Sequence, residues 1–284
     1  MENIAYEIIT VTDDDLKNVV PDSDGKRHIV FPKGITCGKQ YYITASDIVI
    51  EGETSDPKDT VVSLGLYANE ILEDGEKRGT FRTYTLFVDG TNVIIRNLTI
   101  ANSSEDSLQC GQALALYADA DNLSLQNCRL IGRQDTLFTG PLPLKEMQKG
   151  GFRGPKEFAE RRINRQHYSD CYICGDVDFI FGSAEATFEN CTVESLFRDK
   201  QKEIQGYVTA PSSYEGHKGY VFNKCRFVSA DCPKHSVYLG RPWRDYAKAC
   251  FIDCELGEHI HPDYFHDWNK PQTHETAEFI VCTS

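Results

Sequence analysis

The sequence predicts an all-β protein wound as a single-stranded parallel β-helix. Three observations carry that expectation. A six-residue pattern recurs along the chain, its copies read as strand, and few helix signals fall between them.

The pattern reads apolar, any, polar, Cys or Leu, any, apolar. Copies stand at Ile95–Ile100, Leu125–Leu130, Tyr168–Ile173, Phe188–Val193 and Phe222–Phe227, with a sixth, one residue shorter, at Ile252–Leu256. Leu98, Cys128, Cys171, Cys191, Cys225 and Cys254 hold the anchor position, at intervals of 30, 43, 20, 34 and 29 residues. A strand returning at such intervals reads as the coils of a solenoid. Alternate residues then point inward, so the cysteines of successive coils stack in one interior column, where free thiols behave as small hydrophobes. The polar residue before each cysteine faces outward. Upstream, His28–Phe31, Asp47–Glu51 and Thr85–Val88 fit further coils, and Gly, Asn and Asp supply the turns. A β-sandwich alternates as well, but does not need the same motif at each return.

The 284 residues are expected to form one domain over 1–284. The interval of 43 residues from Cys128 to Cys171 is too long for one coil and marks an insertion at about 139–167. That insertion is basic, with seven Lys or Arg against three Glu, and Gly154-Pro155 opens a short helix expected over Pro155–Arg165. The formal net charge is −13. An acidic chain argues against a nucleic-acid partner and against anchoring on an anionic membrane. No segment reaches the roughly 18 apolar residues of a membrane span, and Met1–Tyr6 has no secretory signature. The expectation is a cytoplasmic protein, with export as the alternative if a leader has been removed. The eleven cysteines are odd in number and suit packing better than a disulfide framework.

Asp135 follows Cys128 by seven residues, and Asp178 follows Cys171 by seven. If the cysteines occupy the same place in successive coils, so do the aspartates, about one strand spacing of 4.8 Å apart. Two such carboxyls do not both ionise cheaply, and the split yields a protonated acid beside an ionised nucleophile. The bland reading is a pair of turn aspartates.

Four segments surround this pair: Gly111-Gln-Ala-Leu-Ala-Leu116, Gly132-Arg-Gln-Asp-Thr-Leu-Phe138, Asp176-Val-Asp-Phe-Ile-Phe-Gly182 and Leu239-Gly-Arg-Pro-Trp-Arg244. Together and in this order they resemble the pectin methylesterases, or pectinesterases. A weaker segment, Gly206–Ser212, is similar to bacterial members, and the resemblance covers roughly residues 28 to 280. It implies a right-handed parallel β-helix and hydrolysis of galacturonate methyl esters in pectin or methylated oligogalacturonides, with no metal or cofactor. By the same resemblance Asp178 is the nucleophile and Asp135 the acid and then the base. Gln112 and Gln134 hold the oxyanion, Arg241 pairs with Asp178, and Trp243 and Phe181 face the sugars. The protein is expected to be a monomer.

The chain departs from the family in its long connector between the two aspartates, and one expectation is that the connector's cations bind free carboxylates of the substrate. Residue by residue, plainer readings stand beside these. Gln112 serves as a strand-end amide, Arg241 and Trp243 form a cation–π pair, and Arg198, seven residues after Cys191, competes for Asp178. The Cys171-x-x-Cys174 spacing lacks a second pair for zinc, and His259, His261 and His266 are weak metal candidates. A β-helix glycosidase acting on polygalacturonate and a non-catalytic pectin-binding solenoid are the rival functions.

Overall fold

A computed structural model describes residues 6–282. Its chain winds through three parallel sheets, of eight, nine and eight strands, here called A, B and C. One representative coil runs from Leu116–Ala118 in sheet A through Asp121–Gln126 in B to Arg129–Ile131 in C. The next begins at Leu137–Thr139, again in A. Every pairing between named strands is parallel and joins one coil to the next, which is a parallel β-helix.

The six-residue repeat is not one strand. Its first part ends a strand of sheet B, its last part begins a strand of sheet C, and the polar residue between them turns the corner. Asn97, Asn127, Asp170, Asn190, Lys224 and Asp253 all have φ between 50° and 55°. Left-handed backbone is least costly for Gly, Asn and Asp, whose short side chains hydrogen-bond locally. Five of the six are Asn or Asp. The corner also resets the inside–outside alternation, so residues three apart, such as Leu125 and Cys128, both face inward. The corner side chains stack as well: Asn127 donates to the Asn97 carbonyl oxygen of the side chain at 2.9 Å.

Leu98, Cys128, Cys171, Cys191 and Cys225 form the expected interior column, all buried, with the half-buried Cys254 at its end. Each thiol faces backbone carbonyls, as Cys191 does that of Tyr168 at 3.5 Å. Beside the column runs an aromatic ladder, Tyr168–Phe188–Phe222–Phe251, with ring centroids 4.5, 4.4 and 4.8 Å apart. Phe251 pairs with Phe222, so the last copy starts at Phe251 and is not one residue short.

The insertion lies between Leu137–Thr139 in sheet A and Arg165–Ser169 in sheet B, so its true bounds are 140–164. The helix expected over Pro155–Arg165 is absent. Residues 154–159 form turns instead, and the Arg161 guanidinium takes the carbonyls of Lys156, Glu157 and Ala159 that a helix would have used internally. Arg165 belongs to the sheet, where it pairs with Glu185 in the register.

The corner geometry makes a stability prediction. Asn127→Val puts a β-branched residue at φ 50° and removes the ladder bond. It is expected to lower unfolding stability by about 2 kcal/mol, and Asn127→Gly by less. Denaturation midpoints of the two variants check this.

Candidate active site

The register of sheet A brings the two aspartates together. Leu137 pairs with Ile180, and the Asp135 amide donates to the Val177 carbonyl at 3.0 Å, so Asp135 lies one rung from Asp178. Both have positive φ, 65° and 51°. At Asp178 the register with the following strand slips by one residue between Val177 and Ile180. That bulge re-aims a side chain, as bulges beside active sites do. Asp135 lies in the turn before its strand and Asp178 within one, and left-handed backbone at a non-glycine residue stores strain of about 1–3 kcal/mol. Each aspartate is 7% exposed.

Arg241 follows the sheet-A strand Val237–Gly240 and grips Asp178 with two hydrogen bonds, Nε to Oδ1 at 2.8 Å and Nη2 to Oδ2 at 2.7 Å. This is the bidentate fork that arginine makes best. The guanidinium lies between two rings, with Cζ 3.8 Å from the Tyr207 centroid and 3.7 Å from that of Trp268. The cation–π partner of Arg241 is therefore not Trp243, which stacks on Arg244 instead at 4.6 Å. Lys270 ties the loop down by donating to the carbonyls of Pro242 and Trp243 at 2.9 and 3.1 Å. Arg198 does not compete for Asp178: its Nε donates to Ser107 at 3.2 Å.

The electrostatics separate the two carboxyls. Burial raises both above the ordinary aspartate value of 3.8. At Asp135 the charge of Asp178 adds to the rise, and the shift is the larger one. At Asp178 the charge and hydrogen bonds of Arg241 oppose it. The proton of the pair therefore sits on Asp135, and Asp178 is the anion.

Gln112, Gln134, Asp135, Asp178, Phe181, Arg241 and Trp243 all line one cleft of about 290 Å³. The amides of Gln112 and Gln134 have no hydrogen-bond partner among the described residues, so each keeps two donors for a ligand. Phe181 is only 3% exposed. It ends an outer aromatic column of sheet A, Phe87–Tyr117–Phe138–Phe181, and contributes an edge of the floor rather than an open platform. Sequence reasoning missed Phe81, Phe152, Arg244 and Trp268 in this cleft. Trp268 had one usable signal: the chain has two tryptophans, and both reach the site.

The other candidates do not assemble a site. Among the described residues no group of three or more His, Cys, Asp or Glu is placed to hold a metal ion. His259 is buried with its Nε2 unpaired, and burial lowers its pKa to about 4. His261 stacks on Tyr238 at 4.3 Å. Cys174 is buried away from the column, its thiol 4.0 Å from the Gly132 carbonyl. No helix among the described residues is long and apolar enough to cross a membrane.

Fold and site together define a parallel β-helix protein with an acid–base carboxylate pair in a surface cleft. The chain belongs to the pectinesterase family, whose sequence model matches residues 12–141 and 153–280. It is 30% identical over 229 residues to Pectinesterase 31 of Arabidopsis thaliana, covering 78% of this chain. The match takes in 62% of that relative, so the chain spans less than two thirds of its length. Among solved structures it is similar to the pectin methylesterase PemA from Erwinia chrysanthemi, at 25% identity and a TM-score of 0.69 over 92% of this chain and 81% of that one. The pectin methylesterase from Yersinia enterocolitica gives 27% and 0.68 over 90% and 80%. The internal stretch that the family model leaves unmatched, 142–152, lies inside the insertion and brings Met147, Gln148, Gly151 and Phe152 to the cleft.

The carboxyl pair has a measurable consequence for stability. A buried carboxyl with a raised pKa supports the fold fully below its unfolded value, and that support is lost as pH rises through the folded value. Asp135 is therefore a net burden at neutral pH. Asp135→Asn is expected to stabilise the protein by about 1 kcal/mol at pH 7, with the gain shrinking as pH falls toward 4. Melting temperatures of the two proteins across that range check it.

Proposed function

We propose that this protein hydrolyses the methyl esters of galacturonate units in pectin or oligogalacturonides, releasing methanol and leaving a free carboxylate. The observation that carries the reading is the proton-bearing Asp135 one rung from an Asp178 gripped by Arg241, with two unpartnered amides in the same cleft. The names and family of the relatives support the same ester and the same polymer.

The chemistry follows from the positions. An Asp178 oxygen attacks the ester carbonyl carbon, and the carbonyl oxygen takes up the electron pair as an oxyanion. Side-chain N–H groups of Gln112 and Gln134 hold that oxyanion, each donor contributing about 3 kcal/mol to barrier lowering. Collapse breaks the bond to the methoxy oxygen, and Asp135 gives that oxygen its proton, so methanol leaves. Asp135, now ionised, takes a proton from water as the water attacks the acyl carbon of the Asp178 adduct. The bond to Asp178 breaks, its carboxylate returns to Arg241, and Asp135 is again protonated. Arg241 keeps the nucleophile charged and aimed, and Trp243 offers a ring face for the sugars. The two glutamines favour an acyl oxyanion over the oxocarbenium ion of a glycosidase.

Methanol release from highly methylated oligogalacturonides, with reducing ends counted in the same tube, tests the reading. The expected result is methanol without new reducing ends, and a loss of about 10⁴-fold or more in kcat for Asp178→Ala. New reducing ends, or wild-type turnover by a folded Asp178→Ala variant, contradict it.

A further inference from the structure

A buried carboxylate that takes no part in the reaction lies beside the site. On four successive coils the chain crosses from sheet C to sheet A. The first crossing carries Gln112, the second carries Gln134 and Asp135, and the third leads into Asp178. The fourth runs between Thr192–Ser195 and Gly206–Pro211. The reacting groups therefore depend on how these crossings are held against one another.

Asp176 joins all four. Its side chain is 0% exposed, and it does not line the cleft. Oδ2 accepts from Ser107 Oγ on the first crossing at 2.7 Å and from Arg133 Nε on the second at 2.9 Å. Oδ1 accepts from the Val177 amide at 2.7 Å on its own crossing. Arg133 reaches on to the Phe197 carbonyl of the fourth through Nη2, and Arg198 Nε donates back to Ser107 Oγ at 3.2 Å. The backbone of Asp176 is fixed as well, its amide donating to the Arg133 carbonyl and its carbonyl accepting from the Tyr207 amide, both at 3.1 Å. A Cβ at Gly206 would lie 1.9 Å from that carbonyl oxygen, so the crossings are packed without slack. A buried ion pair is weak evidence for stability. One that ties four crossings at the site bears instead on geometry.

We propose that Asp176 is a positioning residue for the reaction: its buried carboxylate staples the crossings that carry Gln112, Gln134 and Asp135 to the one that carries Asp178. This rests on the esterase reading. The staple sets the two amides where the oxyanion forms, and a small displacement there is costly to rate. The charge of Asp176 acts in the same direction. Burial and the charge of Asp178 hold the proton on Asp135, Arg241 opposes them, and Asp176 adds to the hold. Asp178 answers to Arg241 first, then to Lys270 and Arg198.

Methanol release by Asp176→Asn, which keeps the shape and removes the charge, tests the role across a pH series. The expected result is a loss of about tenfold in kcat with KM little changed, and an alkaline limb of kcat/KM moved to lower pH. Asp135 serves as the acid only while protonated, and without the Asp176 anion it gives up that proton at lower pH. A purely structural residue would lower the melting temperature and leave the limb in place. A folded variant with wild-type kcat, or with the limb unmoved, overturns the proposal. If Asp176→Asn does not fold, Ser107→Ala decides. It frees the Gln112 crossing while the charge stays, so kcat is expected to fall about fivefold, the scale of one hydrogen bond, with the limb unmoved; wild-type kcat in that variant overturns the proposal. Absence of methanol from the wild type overturns the esterase reading and this role with it, whereas an active wild type beside an indifferent variant overturns the role alone.

Discussion

The forked pair between Arg241 and Asp178 is the interaction on which the rest of the site depends. Strand stacking sets Asp135 and Asp178 about 4.8 Å apart in backbone, and burial penalises charge on either. Without a cation both carboxyls would keep their protons, and neither would be a nucleophile. Arg241 makes one of them an anion, and that anion holds the proton on the other. The guanidinium is held in turn by Tyr207 and Trp268 on its two faces. A planar cation between rings cannot swing away from its carboxylate, so the charge split is built into the packing.

The β-helix supplies the geometry that this split requires. Aspartates far apart in sequence meet because each coil returns to the same sheet, and the sheet fixes their separation. The bulge at Asp178 and the left-handed backbone at both aspartates turn their carboxyls into the cleft. The strain there is offset by the long interior column of thiols and rings, where coils stack with little variation.

Much of this was legible in the sequence for a physical reason. The corner between sheets B and C needs a left-handed residue followed by a small interior one, so Asn-Cys recurs and reports the coil. The offset of seven from Cys128 and Cys171 located the aspartates because the path from C to A is equally long in those two coils. The same offset misled at Arg198, where residues 196–205 intervene before the next strand, Gly206–Pro211. Trp268 and Tyr207 were not legible as a clamp, since they meet at Arg241 only through the course of the loop before Lys270. The expected helix in the insertion failed because the Arg161 side chain takes the neighbouring carbonyls of Lys156, Glu157 and Ala159 and lies over the ring of the buried Phe152, contacts that override helix preference. Reading all the insertion's cations as substrate ligands was too broad, because most of them pair with the protein's own carboxylates and carbonyls.

The central claim is that one proton is shared unequally, on Asp135 and not on Asp178. Infrared difference spectra of wild type against Asp135→Asn, with isotope-labelled aspartate at neutral pH, read it directly. The account predicts a protonated-carboxyl band in the wild type that is missing from the variant, beside an ionised band retained in both. A wild type with no protonated band, or a variant that keeps one, would contradict it.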